Sequence, residues 1–151
     1  RYDGAVCLLQ NRMELRKRVF EELSNAGVPF VNLIDPTAVV HSDVTIGQGN
    51  ILQAFCRLGT ACVVGDNNVL SAYVNVDHHS RLGSHCTFGP SVFTSGEVFI
   101  GDCVRFGSGI CIEPRIRIGD NAVIGSGTTI LGDIPDNALV KSRINYKIIQ
   151  G

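Results

Sequence analysis

The sequence predicts a mainly β chain: a parallel β-helix of triangular coils, preceded by the tail of an α/β unit. Three observations predict it. An apolar residue recurs every sixth position from Ile34, through Val40, Ile46, Leu52 and Leu58, to Ile130; 16 of these 17 positions are aliphatic or Phe, Thr94 being the exception. Gly47, Gly65, Gly83, Gly101 and Gly119 fall 18 residues apart, as do Gly89, Gly107 and Gly125. Ahead of Ile34 the pattern changes to apolar run, amphipathic stretch, apolar run.

A period of six is neither the 3.6 of a helix nor the 2 of a continuous strand. It fits a short strand, a corner and a new strand, with one large side chain per flat face turned inward. Three such hexads close one coil, which is why the glycines repeat at 18. Stacked as parallel strands ~4.8 Å apart, 17 hexads make a prism on the order of 27 Å tall. The fifth residue of each hexad is small or medium-sized, for example Ala38, Val44, Cys56, Cys62, Ser80, Cys86, Val104 and Ala122, and neither column holds Lys, Arg, Asp or Glu.

In chain order, Gly4 to Leu9 reads as a buried strand. Met13 to Ala26 reads as a helix with Leu15, Val19 and Leu23 on its inner face, capped by Asn11 and ended by Gly27. Val28 to Ile34 reads as a second strand. A chain that opens in mid-unit without an initiator Met predicts that α/β residues precede it in a larger protein. Past Ile130 the stretch Leu131-Gly132-Asp133-Ile134-Pro135-Asp136-Asn137 breaks the hexads. The expected organisation is therefore an α/β remnant at 1–33, the prism at 34–135 and a C-terminal arm at 136–151.

Composition narrows the function classes. The chain has 151 residues, 44% hydrophobic and 18% charged, which suits one folded domain with a sizeable core. Its net charge of −1, with no block of like charges, argues against nucleic acid or a membrane surface as partner. No apolar run approaches the ~20 residues of a span. The start Arg1-Tyr2-Asp3 does not resemble a signal peptide, so a cytoplasmic protein is expected. Six cysteines without a Cys-x-x-Cys pair read as small buried thiols in a reducing compartment. The outward column beside the core includes Ile51, Val63, Val69, Phe93, Phe99 and Val123, more apolar exterior than a monomeric prism should show to water. Three-fold closure into a homotrimer would cover it and create three clefts.

Several segments resemble one family. Leu33-Ile34-Asp35-Pro36-Thr37-Ala38-Val39-Val40 resembles the junction of the bacterial hexapeptide-repeat sugar O-/N-acyltransferases, which are left-handed β-helices. That family includes sialic-acid O-acetyltransferases and N-acetyltransferases of UDP-4-amino-sugars. Val76-Asp77-His78-His79-Ser80-Arg81-Leu82-Gly83 looks like its active-site segment, and Ile124-Gly125-Ser126-Gly127 through Asp136 looks like its ending. The leading strand–helix–strand is similar to the end of its nucleotide-sugar-binding domain. The chain departs from the family at Asp35, which stands for the junction His, and at His79, which stands for the acid after the active-site His. It departs again at the closing Lys141-Ser142-Arg143-Ile144-Asn145.

The resemblance implies an acetyl-CoA-dependent acetyltransferase acting on an amino or hydroxyl group of a nucleotide-linked or free sugar. It implies His78 as general base, since an imidazole titrating near neutrality suits removal of a proton from the attacking group. The residues 18 before and after, Thr60 and Gly96, are small and leave room beside the ring. Strand alternation turns Asp77 away, so Glu97, one coil along, is the acid expected to orient His78. The donor's pantetheine arm is expected along backbone amides near Gly107 and Gly125. Its phosphates are expected toward Arg115, Arg117, Lys141 and Arg143. Two other readings stand beside this one: a non-catalytic trimeric scaffold or sugar-binding module, and a zinc enzyme like the γ-class carbonic anhydrases. The last needs a His-x4-His pair that His41, His78, His79 and His85 do not provide, and no metal is assigned.

Overall fold

In the structure, a computed structural model, residues 4–9 and 12–142 are described. Among these residues eighteen two-residue strands, from Leu33–Ile34 to Leu139–Val140, build a three-faced parallel prism. One face has seven strands, one six and one five, and each strand pairs with those one coil away. The six-stranded face carries the site; along it Val39 pairs with Arg57, Arg57 with Asn75, Asn75 with Phe93, Phe93 with Cys111, and Cys111 with Thr129. This is the left-handed β-helix of hexapeptide repeats that the period predicts.

The core is the six-residue column. Leu52, Leu58, Leu70, Val76, Phe88 and Ile112 are all buried, with Phe88 stacked on Phe106 at 4.5 Å. Ile34 is 42% exposed and Val40 and Ile46 only half-buried, because the first coil has no coil beneath it. The fifth-residue column is buried too, and it is polar where hydrogen bonds are needed. Asn50 and Asn68 lie stacked in one corner, each accepting the amide of the residue one coil up: Asn50 Oδ1 from Asn68 at 2.9 Å, Asn68 Oδ1 from Cys86 at 2.8 Å. Cys56, Cys62 and Cys86 serve the same column, each thiol donating to a carbonyl oxygen at 3.1 Å. These three thiols are buried as expected, with Cys7; Cys103 is half-buried and Cys111 exposed. Burial pushes the Cys56, Cys62 and Cys86 thiols up, away from the thiolate.

Most corners turn through one residue with positive φ, among them Phe55 (60°), Tyr73 (63°), His79 (58°) and Glu97 (61°). For a residue with a Cβ this costs ~1–2 kcal/mol. Interlocking offsets it: the amide of such a residue donates to the coil below, as His79 does to Thr60 O and Glu97 to His78 O, both at 2.9 Å.

The N-terminal segment differs from expectation. Its helix, α1, spans Met13–Asn25 and stops before Gly27 at φ 78°. Asn11, the expected cap, lies outside the described residues, and Arg12 makes no side-chain cap. The two flanking strands reduce to one parallel bridge, Ala5 to Phe30, with Leu8 and Leu9 exposed. The buried face of α1 is Arg16 and Phe20, while Leu15 and Val19 are half-buried and Leu23 exposed. The reason is the surface met: a prism corner presents backbone carbonyls, and the Arg16 guanidinium donates to His85 O at 2.6 Å and Cys86 O at 3.1 Å. Phe20 packs on Phe30 and on the edge of His85. On the seven-stranded face, outward Ile51 and Val69 are buried (8% and 1% exposed), which removes them from the exterior expected to drive oligomerisation.

The prism also runs further than residue 135. Ile134 bridges Ile118, and Leu139–Val140 pairs with Val123–Ile124, so spacing falls from 18 to 16 but the coil closes. Two residues are lost from one corner between Ile130 and Ile134. Residues 136–140 belong to the last coil, and the arm beyond Ser142 lies outside the described residues.

His85 supplies a pH-dependent element. Its Nδ1 lies 2.9 Å from Asn67 Nδ2, which marks it as the acceptor of a neutral ring. Burial, then Lys17 and Arg16, push its pKa below the ordinary 6.5, with Glu21 and Asp102 opposing. The folded chain therefore binds fewer protons than the unfolded one below about pH 6.5, and stability present above that value is lost as pH falls. The melting temperature of the native protein is expected to decline between about pH 7 and 5, and that of His85→Gln to stay flatter. Equal declines would remove His85 as the cause.

Candidate active site

The site lies at the corner between the six- and five-stranded faces, where Asp77-His78-His79-Ser80 joins the strands Asn75–Val76 and Arg81–Leu82. His78, His79, Arg81, Glu97, Phe99, Arg115 and Arg117 line an open cleft of about 620 Å³. His78 lies across Gly96: a Cβ on Gly96 would clash with the ring's Cε1 and Nε2. The small residue that the 18-residue spacing placed beside His78 is thus the floor under its imidazole. Thr60, on the other side, bonds Asp43 through its hydroxyl.

Asp77 is turned from the ring, as alternation predicts. Its carboxylate takes Arg57 Nη1 at 2.9 Å and the amide of His78 at 2.9 Å, and the Arg57 contact holds its pKa below the usual carboxylate range. The amide of Asp77 donates to Thr94 Oγ1 at 2.9 Å. Thr94 is buried at 3% exposure, and it is the one polar residue in the core column. A hydroxyl there anchors the strand end that carries His78, so the single break in the repeat falls beneath the candidate site.

Glu97 sits in the cleft as expected, but among the described residues its carboxylate makes no hydrogen bond to His78. The group on His78 Nδ1 is His79 Nδ1, at 3.1 Å. His78 Nε2 has no hydrogen-bond partner within the described residues. Arg81 and Arg117 flank the Phe99 ring, their guanidinium carbons 5.7 and 4.5 Å from its centroid. With Arg115 they make the cleft electropositive against the single charge of Glu97.

Gly107, Gly125 and Lys141 meet elsewhere, in a groove of about 470 Å³ at the corner between the seven- and six-stranded faces. They share it with Arg105 and Ser126. The Gly107 and Gly125 amides already donate to Ile124 O and Val140 O at 2.8 Å, so they are not free to hold a ligand. These glycines also let backbones stack, since a Cβ on Gly107 would lie 2.6 Å from Ser126 N. Arg143 lies outside the described residues. Arg115 and Arg117 line the His78 cleft, one corner away from Lys141. His85 is buried at a different corner, and among the described residues no three His, Cys, Asp or Glu side chains could hold a metal ion. Among the same residues no helix is long and apolar enough to cross a membrane.

Comparison with known proteins agrees with the fold. Residues 97–132 match the bacterial transferase hexapeptide model of six repeats. No curated protein matches the chain by sequence. PerB from Caulobacter crescentus, solved in complex with CoA and GDP-perosamine, is 31% identical with a TM-score of 0.81, over 83% of this chain and 61% of its own. The acetyltransferase domain of PglB from Neisseria gonorrhoeae is 27% identical with a TM-score of 0.81, over 85% and 62%. WeeI from Acinetobacter baumannii, at 24% identity and a TM-score of 0.79 over 85% and 63%, shares the fold. The chain thus spans about three fifths of the length of these proteins. In its repeat, its coil geometry and these likenesses, the chain has the left-handed β-helix fold of hexapeptide repeats and is similar to the GDP-perosamine N-acetyltransferase.

Proposed function

We propose that the chain is an acetyltransferase that moves the acetyl group of acetyl-CoA to an amino or hydroxyl group of a sugar, with a nucleotide-linked sugar as the acceptor class. The observation that carries this reading is His78, lining the cleft and packed on Gly96, with Nδ1 engaged by His79 and Nε2 without a hydrogen-bond partner among the described residues. His78 Nε2 takes the proton of the amine or hydroxyl as its nitrogen or oxygen attacks the thioester carbonyl. The tetrahedral intermediate collapses, the carbon–sulfur bond breaks, and the departing CoA thiolate takes the proton back from the imidazolium. The CoA and GDP-perosamine bound to PerB, and the acetyl coenzyme A of another structure of the PglB domain, support the donor and acceptor classes. The six free cysteines fit a cytoplasmic setting, where acetyl-CoA is made. In this reading the residues up to the first coil close an α/β nucleotide-sugar-binding domain.

Donor and base sites sit at two corners of one prism, and a homotrimer reconciles them. Val63, Phe93 and Phe99 remain 37%, 46% and 38% exposed on the two faces that flank the His78 corner. Closing three copies through these faces covers them, and sets the Gly107–Gly125 groove of one copy against the His78 cleft of the next. The pantetheine amides then donate to carbonyl oxygens of that groove, and Lys141 meets a phosphate. Light scattering at micromolar concentration is expected to give a trimer mass; a monomer would sink this arrangement.

Arg115 and Arg117 fit the acceptor's negative charge. Each charge-assisted hydrogen bond is worth ~1.5–3 kcal/mol. The double change Arg115→Gln with Arg117→Gln is expected to raise KM for a nucleotide-linked sugar by about tenfold or more while KM for acetyl-CoA stays level. The reverse pattern would assign these arginines to the donor phosphates.

A further inference from the structure

We infer that His79 is the positioning residue for the base His78, holding it as a neutral hydrogen-bond acceptor; the inference rests on the acetyltransferase reading above. Along an ordinary strand, neighbours point to opposite sides. His79 departs from this because it occupies the positive-φ position of its corner, at 58°, which brings its ring round to the same cleft as His78. The two rings meet edge to face, 5.3 Å between centroids at 82°, with Nδ1 and Nδ1 3.1 Å apart.

The other groups nearby are engaged or out of reach. Asp77 is taken by Arg57 and the His78 amide, and Glu97 makes no hydrogen bond to either ring among the described residues. Arg81, Arg115 and Arg117 in the same cleft carry no acceptor. Gly96 packs against the ring and has no side chain that could compete for Nδ1. Two imidazoles sharing one such contact hold one proton between the paired nitrogens. With that proton on His78 and donated to His79, His78 Nε2 keeps its lone pair toward the cleft. When Nε2 takes the acceptor's proton, the imidazolium still donates Nδ1–H to His79, which carries its own proton on Nε2. No proton passes to His79; it fixes tautomer and ring orientation.

Three variants at position 79 test this, all with side chains that tolerate positive φ. His79→Asn keeps a neutral acceptor and is expected to keep kcat within a few-fold of native. His79→Gly removes the acceptor without backbone strain and is expected to lower kcat by about 10- to 100-fold, with KM for acetyl-CoA unchanged. His79→Asp sets a carboxylate beside the base, which favours its charged form, so the acid limb of kcat is expected to move to higher pH. If glycine is as active as asparagine, or aspartate and asparagine share one acid limb, the positioning role is overturned. Nitrogen-15 NMR of the histidines reads the contact without turnover. The native protein is expected to show His78 protonated at Nδ1, and His79→Gly a mixture of tautomers. A native His78 protonated at Nε2 overturns the inference even if the enzyme is active. Absence of any acetyl transfer, with the Nδ1 tautomer present, refutes the enzymatic reading and leaves the contact standing.

Discussion

Replacing His78 with alanine is expected to lower turnover by ~10²–10⁴-fold, the range a general base contributes, while leaving fold, assembly and acetyl-CoA affinity as they are. The ring is exposed and lies outside both buried columns, so its removal opens no core cavity. Its ring bonds His79, its backbone amide bonds Asp77 and its carbonyl oxygen accepts the Glu97 amide; both backbone bonds survive the change. Steady-state kinetics with calorimetric binding of acetyl-CoA separates the outcomes. A fully active variant would refute the mechanism, and a drop in melting temperature would make His78 structural.

The second large effect needs no change to the imidazole itself. Gly96→Ala places a methyl group where the His78 ring now lies, and the group it meets is the end of a side chain rather than backbone. Gly96 is not among the positive-φ residues, so alanine fits the chain there. The ring must swing away and the fold has no reason to suffer. A displacement of about 1 Å at a reacting group costs on the order of 10²-fold, so kcat is expected to approach that of His78→Ala, with the melting temperature close to native. Full activity in Gly96→Ala would mean that the ring position seen here is not the working one. In the double variant the two losses should overlap rather than multiply, because both remove the same group.

Most of the prism was legible because its cause is local and repeated. A large residue every six positions has few ways to be buried, and 17 repeats without an insertion leave one. What lay outside that rule was harder to read. The helix face was misjudged since an apolar stripe presumes an apolar partner, whereas a corner of this prism offers carbonyl oxygens that Arg16 satisfies. The end of the prism was placed five residues early because a shortened corner looks, in sequence, like a lost repeat. His78 and Gly96 followed from the 18-residue spacing together with the family resemblance. His79 did not, because alternation holds within strands and fails at a positive-φ corner, and the corner at 79, like those at Phe55, Tyr73 and Glu97, carries no glycine to signal it. Gly107 and Gly125 were expected to present amides to a ligand; in a β-helix the next coil already takes those amides.

Thiol release from acetyl-CoA in the presence of a nucleotide-linked amino sugar measures acceptor-dependent acetyl transfer through His78 directly. The native chain is expected to release CoA thiol in step with acetylated sugar, and His78→Ala to bind acetyl-CoA equally well yet release thiol no faster than buffer. Release that does not depend on the sugar, or that His78→Ala sustains at the native rate, would contradict it.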